Sequence, residues 1–198
     1  DDDVPGDEYE ATNANPYVDG VANNEPENLN TKTVKRGDKL VYQVWLDTTK
    51  FDANNKDNIQ SVGITDDYDE AKLNLDATKI KAYDSVTGAD VTSKFDISIA
   101  NGVITANLKD GFTKSLGDAE NTQIIDTTKF EFGRYYKFDI PATVKDIKEN
   151  DGVDIENTAN QTVHVYNPVS KTVEKPEKPT QKRVNSVPVP VEDRKSVM

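Results

Sequence analysis

Residues 66–70 read DDYDE and directly follow an apolar run, so several carboxylic acids fall at one point of the chain. Two carboxylic acids are the catalytic groups of glycosidases, but they must converge across a cleft from separated positions. Adjacent residues of a strand point to opposite faces, and alternation places Val62, Ile64 and Asp66 on one side. We therefore expect Asp66 to point inward and its acidic neighbours to lie in solvent, a pattern that does not favour carbohydrate hydrolysis.

The segment 47–58, which reads DTTKFDANNKDN, is a second candidate site. It concentrates carboxylate and amide oxygens, the hard ligands that Ca²⁺ prefers. Asp47, Asp52 and Asp57 are the predicted calcium ligands, although the glycine and bidentate glutamate of an EF-hand are missing. A solvated loop explains the same composition, so both interpretations stay open. Calcium is the one cofactor that the sequence suggests, and none is required.

Other common chemistries lack their residues. The chain has no cysteine, which removes disulfides and thiolate zinc sites, and its single histidine, His164, alternates with Val163 and Val165 in a strand. Phosphate-binding glycine loops and dinucleotide fingerprints are missing. The net charge of −12 would repel nucleic acid and anionic lipid, and no apolar stretch approaches the ~20 residues that span a bilayer. The sequence predicts a protein that is not an enzyme and that has neither a nucleic-acid nor a membrane partner.

Period-two patterns predict the strands that would position these groups. In KLVYQVWL, the side chains of Leu40, Tyr42, Val44 and Leu46 share one face, and Trp45 lies on the other. Asn101-Gly102 predicts a two-residue hairpin turn. Residues 109–130 are ambiguous between one helical turn and an irregular crossover. Short strands and frequent turns indicate an all-β sandwich.

Composition divides the chain into three parts. Residues 1–14 form an acidic leader or linker, residues 15–167 the immunoglobulin-like β-sandwich, and residues 168–198 a Pro-rich linker toward a following module. We expect a monomer with both ends flexible. We also expect any cell-wall anchor to lie outside this stretch of chain.

Three stretches in order, TVKRGDKLVYQVWLDTTKF, ITDDYDE and IENTANQTV, resemble the C-terminal stalk domains of streptococcal antigen I/II adhesins and enterococcal aggregation substances. The resemblance implies a DE-variant immunoglobulin-like sandwich. Such domains are often locked by a spontaneous amide bond between a first-strand lysine and a last-strand asparagine, promoted by an inward aspartate. By motif match the aspartate would be Asp66 and the asparagine Asn157. Related domains also bind calcium near the loop after the first long strand.

In the chemistry that the resemblance implies, a buried neutral amine attacks the asparagine carboxamide while a protonated aspartic acid polarises the carbonyl and helps ammonia leave. The family's lysine should lie well before the Gly37-Asp38 turn, where this chain reads NPYVD over residues 15–19. Lys32 and Lys35 are the nearest substitutes, and their position beside the turn suggests exposure. The missing lysine therefore favours a domain without this crosslink, or with a rewired one, over an intact Lys–Asn bond.

The function implied is a structural module of an extracellular adhesin anchored in a Gram-positive cell wall. It would resist mechanical load, hold a distal binding head away from the wall and contact neighbouring stalk domains of the same polypeptide. Alternatively, the domain itself binds a host glycoprotein or a partner bacterial adhesin through an edge strand or an exposed loop.

Overall fold

Alternating apolar and polar residues form β-strands throughout the computed structural model, which describes residues 29, 32–51, 56–167, 172–174 and 181–187. The predicted leader, residues 1–14, and the predicted calcium ligand Asp52 lie outside these ranges. The strands are β1 (Lys39–Asp47), β2 (Ile59–Tyr68), β3 (Leu73–Leu75), β4 (Lys81–Asp84), β5 (Phe95–Ala100), β6 (Val103–Leu108), β7 (Thr113–Ser115), β8 (Gln123–Ile125), β9 (Tyr135–Val144), β10 (Asp154–Asn167), β11 (Thr172–Glu174) and β12 (Gln181–Ser186).

Helical structure in the described ranges is limited to short 3₁₀ turns. They are Lys56–Asn58, Ala77–Lys79, Thr92–Lys94, Asp110–Phe112 and Lys148–Asn150. None of the described helices has the length and apolar character needed to cross a membrane. The ambiguous stretch 109–130 resolves into the turn Asp110–Phe112 followed by the β7–β8 hairpin.

Ten of the described strands form two antiparallel sheets, and β7 and β8 pair with each other in a small third one. In the first, β1 pairs with one side of β9, and β3 and β4 pair with different parts of its other side. In the second, the order is β5-β6-β2-β10, and β11 and β12 pair with the free side of β10. The all-β sandwich prediction is confirmed.

The core lies between the two sheets and follows the predicted alternation. Leu40, Tyr42, Val44 and Leu46 of β1 are buried, and they share one cluster with Ile64 of β2. Removing this apolar surface from water is the main favourable term that holds the sheets together. The predicted inward face of the first strand is therefore confirmed.

Local sequence shapes the second sheet at two positions, the turn between β5 and β6 and the contact between β2 and β6. Asn101 and Gly102 have φ of 52° and 76°, so the predicted hairpin turn joins β5 to β6 with both residues left-handed. Gly63 of β2 lies so close to β6 that an added Cβ would sit 2.2 Å from the carbonyl oxygen of Ala106. Glycine is required there by the close approach of two backbones.

The predicted boundary at residue 167 is too early. The strands β11 and β12 both pair with β10, so residues 172–174 and 181–186 extend the second sheet instead of forming a linker. The prolines that suggested a linker, at positions 168, 176 and 179, flank these strands and do not interrupt them. Proline between strands leaves the ladder hydrogen bonds intact, so composition alone was misleading.

Candidate functional site

Asp66 and Asn157 meet in the dry interior of the sandwich. Asp66 lies on β2 and Asn157 on the adjacent β10, two residues from the Ala159 that pairs with Asp66. Their exposed fractions are 0% and 3%, and Asn157 Nδ2 donates a hydrogen bond of 2.8 Å to Asp66 Oδ2. The structure thus brings together the two residues that the motif match singled out.

Tyr42 adds a third polar group from the opposite sheet. Its side chain is 1% exposed, and the Asp66 charge is among the causes that raise the pKa of its phenol, after burial itself. Within the described part of the chain, three buried oxygens here lack a hydrogen-bond partner: Tyr42 Oη, Asp66 Oδ1 and Asn157 Oδ1. A buried polar atom without a partner costs about 1–3 kcal/mol, so this cluster opposes stability.

The protonation state of Asp66 is set by its burial. Desolvation raises the pKa of the carboxyl to about 7, partly opposed by the hydrogen bond from Asn157 and reinforced by the charge of Asp67. The carboxyl is therefore neutral in mildly acidic solution, where it can donate a hydrogen bond to a neighbouring oxygen. In the structure Asp66 accepts from the Asn157 amide nitrogen, so polarising the Asn157 carbonyl would require the neutral carboxyl to donate to Asn157 Oδ1 instead.

The candidate lysines of the predicted crosslink lie beside the turn that precedes β1. Lys35 is exposed and its backbone N–H donates to Asp38 Oδ2 at 2.8 Å, whereas Lys32 is half-buried and its N–H donates to the carbonyl of Leu29. Among the lysines of the described ranges, none is a charge that shifts the pKa of Asp66. The structure therefore does not single out an amine for a crosslink to Asn157.

Asp47 and Asp57, two of the predicted calcium ligands, are described. Asp47 Oδ1 accepts hydrogen bonds from the backbone N–H and the hydroxyl of Thr49, at 2.8 and 2.5 Å. Asp57 is exposed in the turn Lys56–Asn58. Across the described ranges, no three His, Asp or Glu side chains form a group that could hold a metal ion. Since Asp52 and the rest of residues 52–55 lie outside the described ranges, calcium binding stays a prediction.

Other aspartates form the same local turn as Asp47. Asp76, Asp90 and Asp126 each accept hydrogen bonds from the threonine two residues further on, and these bonds lower the pKa of each carboxyl. An aspartate that bonds to the backbone two residues on forms a local turn. The Asp-x-Thr pattern is thus a turn signal that the sequence contains four times.

Replacement of Asp47 by alanine is expected to lower the free energy of unfolding by about 1 kcal/mol, because the turn loses its side-chain hydrogen bonds. The loss should be equal in calcium and in chelator, measured by urea unfolding in both. Calcium that stabilises the native chain but not the variant would instead place Asp47 in a metal site.

A serine–histidine contact was not foreseen from the sequence. Ser61 Oγ and His164 Nδ1 are 2.9 Å apart, because Ser61 and His164 are paired across β2 and β10. A hydrolytic triad also needs a group that orients the other ring nitrogen. The hydrogen bonds and ion pairs of the described residues supply no carboxylate to His164, so the contact is a cross-strand pair.

Comparison with known proteins gives a consistent group of relatives. The family model described as cell surface antigen I/II C2 terminal domain matches residues 19–176. The aggregation substance of Enterococcus faecalis is 28% identical over 164 residues, which cover 74% of this chain and 11% of that protein. The present chain thus spans only a small part of that relative.

Solved structures of surface proteins share the fold. The N-terminal domain of the Streptococcus gordonii adhesin Sgo0707 matches with a TM-score of 0.53 and 13% identity, covering 79% of this chain and 30% of that one. BcpA, the major pilin subunit of Bacillus cereus, matches with a TM-score of 0.51 and 18% identity, covering 78% and 36%. At such low identity these likenesses establish the architecture alone.

Proposed function

The chain belongs to the family of the cell surface antigen I/II C2 terminal domain, and from this premise we propose that it is a structural module of a wall-anchored adhesin. In this role it transmits tension between a distal binding head and the cell wall. Neighbouring modules of the same polypeptide are its immediate partners. The adhesin and pilin domains that share its fold support a role at the bacterial surface.

The proposal rests mainly on the backbone hydrogen bonds that fix the C-terminal end of the described residues to the second sheet. The six residues of β12 pair antiparallel with β10, which pairs with β2 on its other side. Beyond β12, Val187 donates to the carbonyl of Val153 and accepts from the N–H of Gly152, both at 2.7 Å. Tension that enters from the C-terminal side must break this ladder before the core opens.

The chain entering β1 is tied to the same region. Gly37 N–H donates to the carbonyl of Val144 at 2.8 Å, and Val144 N–H donates to the backbone carbonyl of Asp38 at the same distance. Arg36 Nε lies 3.1 Å from a carboxylate oxygen of Asp151. The end of β9 and the segment that leads to β10 therefore bind both the chain that enters β1 and the chain that follows β12.

Single-molecule stretching of a tandem array of this domain tests the proposal. We expect one cooperative unfolding event per domain, at a higher force than a helical marker domain in the same array. Val187→Pro should unfold at a clearly lower force than Val187→Ala. Both variants remove the buried valine side chain, but only proline removes the donor to Val153.

Equal unfolding forces for the two variants would show that the terminal ladder carries no tension. Unfolding of the native domain below the force of the helical marker would contradict a mechanical role altogether. Chemical unfolding of both variants provides the control, since it reports their loss of stability without a direction of pull.

A further inference from the structure

The second sheet ends in an open edge at β5. This strand pairs with β6 on one side, and among the described residues no strand pairs with its other side. The 3₁₀ turn Ala77–Lys79 contacts β5 but makes no backbone hydrogen bond with it. An edge strand presents a row of unpaired N–H and C=O groups, so a further strand can join the sheet here.

The two-residue turn between β5 and β6 fixes which backbone groups of β5 face the open side. The residues that flank such a turn, here Ala100 and Val103, bond to each other, and bonded positions then alternate along the strand. The N–H and C=O groups of Ile97 and Ile99 therefore point away from β6. In the part of the chain that the structure describes, these groups have no hydrogen-bond partner. Both residues are thus available to a second strand.

β5 lacks the features by which proteins usually block an edge strand. It contains no proline, and its continuous register with β6 leaves no bulge that would twist it away. Asp96 is its one charged residue. Ile97 and Ile99 are half-buried and pack against the core, so a strand that added to β5 would remove more of their apolar surface from water. The edge therefore favours strand addition.

The outer face beside this edge has an uncharged central row, although the whole chain carries a net charge of −12. Ser98 pairs with Thr105 of β6. Thr65 of β2 pairs with Thr105 on one side and with Asn160 of β10 on the other. All four residues are at least partly exposed. A strongly charged partner strand would find no opposite charge in this row, so the row favours an uncharged strand.

The edge is complementary to itself about Ser98. In an antiparallel pair of two β5 strands related by a two-fold axis at Ser98, Ile97 of each copy lies opposite Ile99 of the other. Both members of that pair direct their backbone groups outward, so they exchange both N–H···O bonds. Asp96 lies opposite Ala100 of the other copy, so no like charges face each other.

Shifted registers of the same pair are less favourable. A two-fold axis at Asp96 would place two carboxylates directly opposite each other, which is destabilising. An axis at Ile97 would need Phe95 as a bonded residue, but the Phe95 N–H already donates to the carbonyl of Thr92. The register centred on Ser98 avoids both problems.

We propose that β5 is a homotypic interface, through which two copies of this chain join their second sheets into one continuous sheet. Two six-residue strands make a small interface, so the dimer is weak and dissociates in dilute solution. It forms where copies are held close together, as on a cell surface. This association goes beyond the mechanical role, which each chain performs by itself.

Sedimentation equilibrium of the full chain at high concentration tests the proposal. We expect the native chain to dimerise with a dissociation constant on the order of 0.1–1 mM. Ser98→Lys and Ser98→Asp each place like charges opposite each other across the axis, so each should weaken the dimer about tenfold or more. An equimolar mixture of the two variants should restore it, because lysine then faces aspartate.

Thr65→Lys is the matched control. It adds the same charge to the same outer face, but on β2, two strands away from the edge, and it should dimerise like the native chain. Circular dichroism verifies that each variant is folded.

Three results would overturn the proposal. They are a native chain that stays monomeric at the highest concentration, folded Ser98 variants that dimerise like the native chain, and a mixture of the two variants that stays monomeric. Equal weakening by Thr65→Lys would do the same, because it would assign the effect to net charge. None of these outcomes changes the stretching experiment, so failure of the interface and failure of the mechanical role are separable.

Discussion

Asp66→Asn is expected to stabilise the domain at and above neutral pH and to remove most of the pH dependence of its unfolding between about pH 4 and pH 7. Burial raises the pKa of Asp66 from 3.8 to about 7, so the folded domain keeps a proton that the unfolded chain releases. This contribution to stability is complete below about pH 4 and is lost as the pH rises through 7. The loss is on the order of 4 kcal/mol.

Asparagine can reproduce the neutral acid that the cluster accommodates. Its oxygen can accept the bond that Asn157 Nδ2 now donates to Asp66 Oδ2, and its amide can donate to the oxygen of Tyr42 or Asn157 that lacks a partner. The variant cannot ionise, so it escapes the cost of burying a charge. Its stability should therefore exceed that of the native domain most clearly at pH 8.

Urea unfolding followed by the fluorescence of Trp45, the single tryptophan, measures both chains from pH 4 to pH 8. Asp96→Asn is the matched control, because Asp96 is an exposed aspartate of β5 and is not among the charges that shift the pKa of Asp66. Its pH profile should match that of the native domain. A native slope retained in Asp66→Asn would show that Asp66 does not carry the buried proton.

Tyr42→Lys is expected to have a mass about 17 Da below the one calculated from the variant's own sequence, because one ammonia is lost. Tyr42 Oη is buried close enough to Asp66 for the carboxylate charge to raise the pKa of the phenol, and a lysine reaches about as far as a tyrosine. Burial favours the neutral amine, and the neutral Asp66 carboxyl can polarise the Asn157 carbonyl. The amine then forms an amide bond with Asn157 and ammonia leaves.

Intact-protein mass measurement compares each chain with the mass calculated from its own sequence, because the substitution itself changes the mass. We expect the native chain to have its full calculated mass, because no lysine of the described ranges is among the charges acting on Asp66. The double variant Tyr42→Lys, Asn157→Ala should keep its full mass, because it lacks the carboxamide. Tyr42→Phe controls for loss of the tyrosine hydroxyl and should fold at least as stably, since that hydroxyl has no partner among the described residues.

Two mass results would contradict this account. A native chain already lighter by about 17 Da would mean that one of its own lysines reaches Asn157. Circular dichroism shows whether Tyr42→Lys is folded. A folded variant that keeps the full mass calculated from its sequence would mean that the cluster cannot transfer the acyl group of Asn157 to an amine.

The inward direction of Asp66 and Asn157 was predictable because a strand has a period of two residues. Ile64 and Ala159, which flank the pair on β2 and β10, are buried, and the acid and amide share their face. The same local rule predicted the buried face of β1, and Asn101-Gly102 predicted its hairpin turn through the left-handed conformation of two residues. These are properties of a few adjacent residues, which sequence patterns report well.

Contacts between distant residues depended on the tertiary structure. Tyr42 lies near Asp66 because of the way one sheet packs on the other. No pattern within β1 or β2 encodes the relative position of the two sheets. Trp45 of β1 and Tyr83 of β4 both pair with Lys137 of β9. β11 and β12 join the second sheet through backbone bonds to β10 although their surroundings are rich in proline. The sequence by itself thus determined which face of each strand is buried, because alternation is local. The tertiary structure decided which buried and outer-face groups meet, because strand pairing and sheet packing join residues that are far apart in the chain.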